Sequence, residues 1–280
     1  MFNATNKSLT KALALCLIAG ASLTACGDKD RENASALCAE AQQAIEEGNP
    51  AGALVLLDTL NSRYPAQTEI RKEGLRLRAQ AIEGIALDSI SAGSEALAAA
   101  TLEVEKLRPG FRHVTSSVGL DGYFIPKSAP EKVMTATGIQ PRVSEKGFFY
   151  IVVNIQGRAI GFSSLEFTDG AESISSSAIS GARVVSVEGS ETASLNPEDL
   201  EGVGAWLEAH PSSSKVILHG TKGKIPVKID SKLRSQLIEC YRYAQALQAQ
   251  RLASIKREKY ERMLATARDQ IANMPAPESK

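Results

Sequence analysis

The sequence predicts an α+β protein, and three observations carry that expectation. Apolar residues recur at steps of three and four over residues 34–107, and again over 231–273. Between them the chain turns to Ser, Thr, Gly and β-branched residues with strand-like runs. The expected architecture is an N-terminal helical hairpin and long helix, a small antiparallel β domain, and a long C-terminal helix packing back on the N-terminal helices. In chain order this gives a leader over 1–25, a flexible tether over 26–33, helices over 34–107, the β domain with one short helix over 108–230, a helix over 231–273 and a disordered tail over 274–280.

The leader has a basic start, Lys7 and Lys11, followed by ten apolar residues over 12–21. Ten residues are too few to cross a bilayer of about 30 Å as a helix. The run ends in Leu23-Thr24-Ala25-Cys26. This resembles a bacterial lipobox, in which a leucine and two small residues precede an obligatory cysteine. The resemblance implies cleavage between Ala25 and Cys26 and lipidation of the Cys26 thiol, with two or three acyl chains giving a stable membrane anchor. The polar stretch Gly27-Asp28-Lys29-Asp30-Arg31-Glu32-Asn33 follows as the tether. Its acidic residues resemble the export signals of Bacteroidota-type surface lipoproteins, and a merely solubilising tether is the equal alternative.

Leu37, Ala41, Ala44 and Ile45 mark the first helix, and Gly48-Asn49-Pro50 stops it. Ala53, Leu56, Leu57 and Leu60 mark the second, which ends near Tyr64-Pro65. The pair resembles one tetratricopeptide unit, with Ala41 at the crossing, Gly48-Asn49 in the turn, and Ala53, Leu57, Leu60 and Pro65 at the family's spacing. A large residue is missing where Glu40 stands, and no second matching unit follows, so a peptide-binding superhelix is not expected. From Gln67 to Leu107 no proline interrupts the chain. Ile82, Ala86, Ile90, Gly93, Leu97, Ala100, Val104 and Leu107 form a coiled-coil-like seam. A bend is expected at Gly84 and Gly93.

In the middle region the strongest strand is Phe148 to Ile155, with Gln156-Gly157 expected as a hairpin turn into Arg158–Phe162. Residues 182–187 and 215–218 are further strands, 219–224 a Gly-rich turn and 225–229 a return strand. Residues 173–177 are an edge strand or a loop, and Asn196-Pro197 opens a short helix to Ala209. Ser231 caps the last helix. Its expected stripes are Leu233, Leu237, Cys240, Ala244 and Leu247, then Leu252, Ile255, Leu264, Ala267 and Ile271. Residues 34–107 hold 6 basic and 11 acidic residues, whereas 231–273 hold 9 and 4. Opposite net charges of −5 and +5 favour packing between the two regions.

The whole chain has 32 basic and 32 acidic residues, which excludes a strongly basic nucleic-acid binder. No nucleic-acid partner is expected, and with only 5% aromatic residues a sugar- or base-stacking surface is disfavoured. With Cys16 removed in the leader and Cys26 acylated, Cys38 and Cys240 are the remaining thiols. They either pair in an oxidising envelope or lie buried as small apolar residues. Three scattered histidines and no Cys-x-x-Cys make no metal pattern, and no cofactor is expected. Ser212-x-x-Lys215 has a penicillin-recognising spacing, but Lys215 opens a strand and is turned aside. His113, His210 and His219 have no nucleophile elbow to serve. Asp121-Gly122 and Asp169-Gly170 are turns, and Gly220–Lys224 is a basic hairpin tip. Arg251, Lys256, Arg257, Lys259 and Arg262 interleave with Glu258 and Glu261 as a solvated face. No catalytic residue is expected.

Taken together, and through the stretch from Met134 to Val143, the chain resembles Bacteroidota-type envelope lipoproteins, a group without an established activity. The resemblance implies a protein anchored by lipid to the bacterial outer membrane, on its periplasmic or cell-surface face. The expected function is a non-enzymatic binding or scaffold module for a protein or glycan partner. A structural spacer of the envelope and an envelope hydrolase are the alternatives.

Overall fold

The structure is a computed structural model that describes residues 28–115, 122–130 and 135–274. Ala25, Cys26 and the leader therefore lie outside the described residues, as does the tail beyond Met274. The described chain is α+β, with five helices and two antiparallel sheets. It divides into two compact units, residues up to 94 together with those from 255, and residues 95–254. The expected domain boundaries near 107 and 231 do not coincide with these units. The reason is that Val104, Leu107, Leu237, Cys240, Tyr243 and Ala244, all on the long helices, belong to the core of the β region.

In the first unit, α1 covers residues 28–46, so residues 28–33, expected as tether, are helical and exposed. The helix ends in a Schellman motif. Gly48 takes a left-handed φ of 76°, its N–H donates to Ile45 O, and Asn49 N–H donates to Ala44 O at 2.7 Å. Helix α2, Pro50–Arg63, starts at once: Asn49 Oδ1 accepts from Gly52 N at 3.0 Å, and Pro50 occupies the first turn. Ala34, Cys38 and Ala41 of α1 pack with Ala53, Leu57 and Leu60 of α2. Helix α3, Thr68–Leu107, adds Leu77 and Ala81 to that cluster. Gly74 permits its approach, since a Cβ there would lie 2.9 Å from Leu60 Cδ2. Leu57 is fully buried. Leu57→Ala is expected to cost about 2–5 kcal/mol of helical-unit stability, read by urea denaturation, because the rigid cluster cannot collapse around the lost side chain.

α3 runs unbroken through Gly84 and Gly93, which serve packing. The final helix, α5, is Ser231–Asn273. In this unit the two long helices meet through an ion pair of Arg268 Nε with Glu83 Oε1 at 2.8 Å. Close contact over Gly93 adds to it, where a Cβ would stand 3.7 Å from Arg257 Cβ. Ion pairing across acidic α3 and basic α5 thus accompanies an apolar seam. Every residue of the α3 seam from Ile82 to Leu107 is at least half-buried. On α5 the second expected stripe holds at Leu264, Ala267 and Ile271 but not at its start, where Leu252 and Ile255 are 66% and 49% exposed. The inward line runs instead through Ala253, Arg257, Tyr260, Leu264, Ala267 and Ile271. The arginine contributes its aliphatic stem there.

In the second unit, β1 (Phe111–Val114), β2 (Tyr123–Pro126), β3 (Gly138–Ser144), β4 (Phe149–Ile155), β7 (Val184–Val187) and β8 (Ser190–Leu195) form a six-stranded sheet, ordered β1-β2-β3-β4-β8-β7. The strands β5 (Phe162–Thr168), β6 (Ser173–Ser175), β9 (Lys215–Gly220) and β10 (Gly223–Lys228) form a second sheet, ordered β10-β9-β5-β6. The short helix α4 is Val203–Ala209. Both sheets and α5 share one core, in which Tyr243 stacks on Phe111 at 4.4 Å and meets Phe124 edge-on at 5.5 Å.

The expected hairpin at Gln156-Gly157 is not formed. β4 and β5 lie in different sheets, and residues 156–161 are a crossover. The cause is Glu191 of β8, a buried carboxylate that accepts the N–H groups of Ile160, Gly161 and Phe162 at 2.9, 2.8 and 3.3 Å. Those amides are then unavailable to a hairpin ladder. By contrast, the 219–224 turn tightens to Thr221-Lys222 between paired strands.

Candidate functional site

A groove lies in the second unit. One wall is α5, whose Tyr241, Ala244, Gln245 and Gln248 share a face at helical spacing. The other is the segment from Pro197 through Leu200, Glu201 and Gly202 into α4. Phe149, at the start of β4, closes one end. The volume is about 190 Å³.

Each wall is held by identifiable contacts. Gly204 of α4 sits against the Tyr241 ring so tightly that an added Cβ would fall within it. Phe149 meets Tyr241 edge-on, with centroids 6.0 Å apart and planes at 74°. Gln245 Nε2 donates to the Tyr241 hydroxyl at 2.8 Å, which fixes the amide over the opening. Arg242 Nε donates to Glu208 Oε1 at 2.7 Å, linking α5 to α4 beside the groove. The floor is thus aromatic and aliphatic, while the rim offers two amides and the exposed Glu201 carboxylate. Such a site takes an apolar group of side-chain size and fixes it by neutral hydrogen bonds. It is smaller than the roughly 300–1,000 Å³ usual for small-molecule pockets.

The segment leading to α4 is locked by an ion pair. Arg183 donates twice to Asp199, at 2.9 and 2.6 Å, and Asp199 Oδ2 also accepts from Asn196 N at 2.7 Å. The Arg183 guanidinium holds the Asp199 carboxyl below the ordinary carboxylate range. Its pKa is therefore lower folded than unfolded. The stabilisation is present above the unfolded value and is lost as the pH falls through the folded one. Urea denaturation should show wild type losing more stability than Asp199→Asn between neutral pH and about pH 3, so that their curves converge.

The residues singled out in the sequence do not converge. His113 Nε2 donates to Glu145 Oε1 at 2.6 Å, His219 Nε2 to Glu166 Oε2 at 2.7 Å, and His210 Nε2 to Glu172 Oε2 at 3.2 Å. These are three separate pairs on different elements, and His210 also stacks on Trp206 at 4.2 Å. Ser212 lies in the turn before β9, which Lys215 opens. The disulfide considered for Cys38 and Cys240 is not formed, because both thiols are free and each is buried in a different hydrophobic cluster. Burial, aided by Glu73, pushes the Cys38 thiol up to about 11, and burial pushes Cys240 well above its usual value. At both positions burial thus disfavours the thiolate.

Among the described residues no group of three or more His, Cys, Asp or Glu is arranged to hold a metal ion, and no helix is long and apolar enough to cross a membrane. The sequence reading missed the groove, although Gly202-x-Gly204 and the Tyr241, Gln245, Gln248 spacing were visible signals. No protein-family model, curated protein or solved structure matches the chain.

Proposed function

We propose that the protein is an envelope lipoprotein, held to the bacterial outer membrane by acyl chains on Cys26, and that it works as a non-enzymatic binding or scaffold module. The anchor reading is supported by the basic start, apolar run and Leu23-Thr24-Ala25-Cys26 in register. The binding reading is carried by the groove along α5. A cavity of about 190 Å³ with an aromatic floor and an amide rim suits one apolar side chain of a protein partner. In this reading Phe149 and Tyr241 provide the apolar contact surface, Gln245 and Gln248 bond the partner's backbone, and Glu201 sets charge preference.

The test is site-specific photocrosslinking in intact cells, with a benzophenone amino acid at Gln248. A discrete adduct is expected, and it should disappear when Gln245→Trp fills the groove. Gln245 is exposed, so that substitution leaves the core untouched. An adduct unaffected by Gln245→Trp, or no adduct at all, would overturn the groove reading.

A further inference from the structure

We propose that the solvent face of the four-stranded sheet is a docking surface for anionic phospholipid. The strand register defines that face. Lys224, His219 and Ser164 form one cross-strand row, Pro226, Ile217 and Glu166 the next, and Lys228, Lys215 and Thr168 the third. The opposite face carries Leu218, Leu165, Val216 and Phe167 and is the core. Lys215, Lys224 and Lys228 are exposed, and none has an ion pair among the described residues. Lys222 in the hairpin tip adds a further exposed cation.

Glu166 is the one carboxylate in these three rows, and the others nearby lie in flanking loops. Glu166 takes His219, Glu172 takes His210, Asp169 accepts the N–H groups of Ala171 and Glu172, and Asp230 accepts from Leu233 N. Lys228 stands directly opposite Lys215 in the ladder, an arrangement of like charges that costs stability. Edge protection accounts for Lys224, Pro226 and Lys228 on β10. It does not account for Lys215, which lies on the interior strand β9.

Geometry selects the ligand. Lys224 and Lys228 are four residues apart on one strand, hence about 14 Å apart. Charges so spread on an open sheet do not converge on one phosphate. They match a planar array of headgroups, where each lysine adds to the attraction of an anionic surface. Exposed Pro226 between them offers an apolar contact at the interface. The proposal rests on the lipid-anchored reading only for bringing this face to a bilayer, which raises its effective concentration there.

The test is flotation of the full chain carrying Cys26→Ala, which has no acyl group, with vesicles of phosphatidylglycerol and phosphatidylcholine or of phosphatidylcholine alone. Binding to the anionic vesicles is expected to fall with salt. It is also expected to weaken about tenfold or more when Lys215→Gln, Lys224→Gln and Lys228→Gln are combined. Lys232→Gln, an exposed lysine on α5, serves as the matched control and should change little. Equal binding by the triple variant, equal binding to neutral vesicles, or binding of polyglutamate without binding of vesicles would each overturn the proposal. Release of Cys26→Ala from cell membranes tests the anchor separately, so the two readings fail in distinguishable ways.

Discussion

Glu191→Ala is expected to lower the unfolding free energy of the β unit by about 3–5 kcal/mol, the largest stability effect anticipated for a single polar side chain here. Glu191 is only 4% exposed, and its two oxygens accept three backbone N–H groups from the β4–β5 crossover. Truncation leaves Ile160 and Phe162 amides buried without a partner, and the penalty for each exceeds the worth of an ordinary hydrogen bond. The crossover also carries the chain from one sheet to the other. Its release therefore loosens Ile160, which is fully buried in the shared core. Glu191→Gln should be intermediate. One amide oxygen still accepts, but the NH₂ group faces donors and the charge is lost. Urea denaturation checks both variants, and hydrogen exchange at Ile160, Gly161 and Phe162 should quicken first. An Ala variant as stable as wild type would show that the crossover is held by its side chains alone.

Cys26→Ala is expected to abolish lipidation altogether. The protein should then accumulate as an uncleaved precursor or leave the membrane fraction. In the proposed anchor the thiol is the group that would receive the lipid, and neither serine nor alanine supplies a nucleophile of comparable reactivity. Two or more acyl chains bind a bilayer firmly, whereas a protein without them is held only by weak contacts. Fractionation should be done in high salt, which strips electrostatic association by the basic sheet face. Metabolic labelling with a palmitate analogue gives the second readout. Normal processing with full membrane retention in high salt would refute the lipobox reading of Leu23-Thr24-Ala25-Cys26.

The two predictions draw on different kinds of information. The lipobox-like stretch Leu23-Thr24-Ala25-Cys26 is contiguous, and the proposed chemistry needs only four residues in a row. Glu191 belongs to no motif. It stands in a β8 sequence, Ser190–Leu195, that has few large apolar residues, and its partners are some thirty residues upstream. In the sequence it is indistinguishable from a surface glutamate. Burial gives it meaning, and burial follows from the pairing of β8 with β4.

The same distinction runs through the fold. Helices α2 and α5 and the α3 seam were legible because 3.6-residue periodicity and capping are local properties. The extent of α5, Ser231–Asn273, was legible, although the cap is Asp230, whose Oδ1 accepts from Leu233 N, and not the expected Ser231. The charge contrast of −5 against +5 also pointed to the packing of α3 with α5. Strand β7 was also legible, within the expected 182–187, but β5 begins beyond a stretch that looks like a hairpin turn, and β8 is short and poor in large apolar residues. Which sheet each strand joins depends on non-local hydrogen bonds. The groove and the basic sheet face arise the same way. Tyr241 meets Gly204, and Lys215 meets Lys228, only once the strands and helices have been brought together. Local spacing and contiguous chemistry were therefore enough for fold class, long helices and anchor expectation. Partner choice among strands, the phase of α5 around Leu252 and Ile255, and both candidate binding surfaces were left to tertiary packing. Those features are energies of contact between residues far apart in the chain, and no local pattern records them.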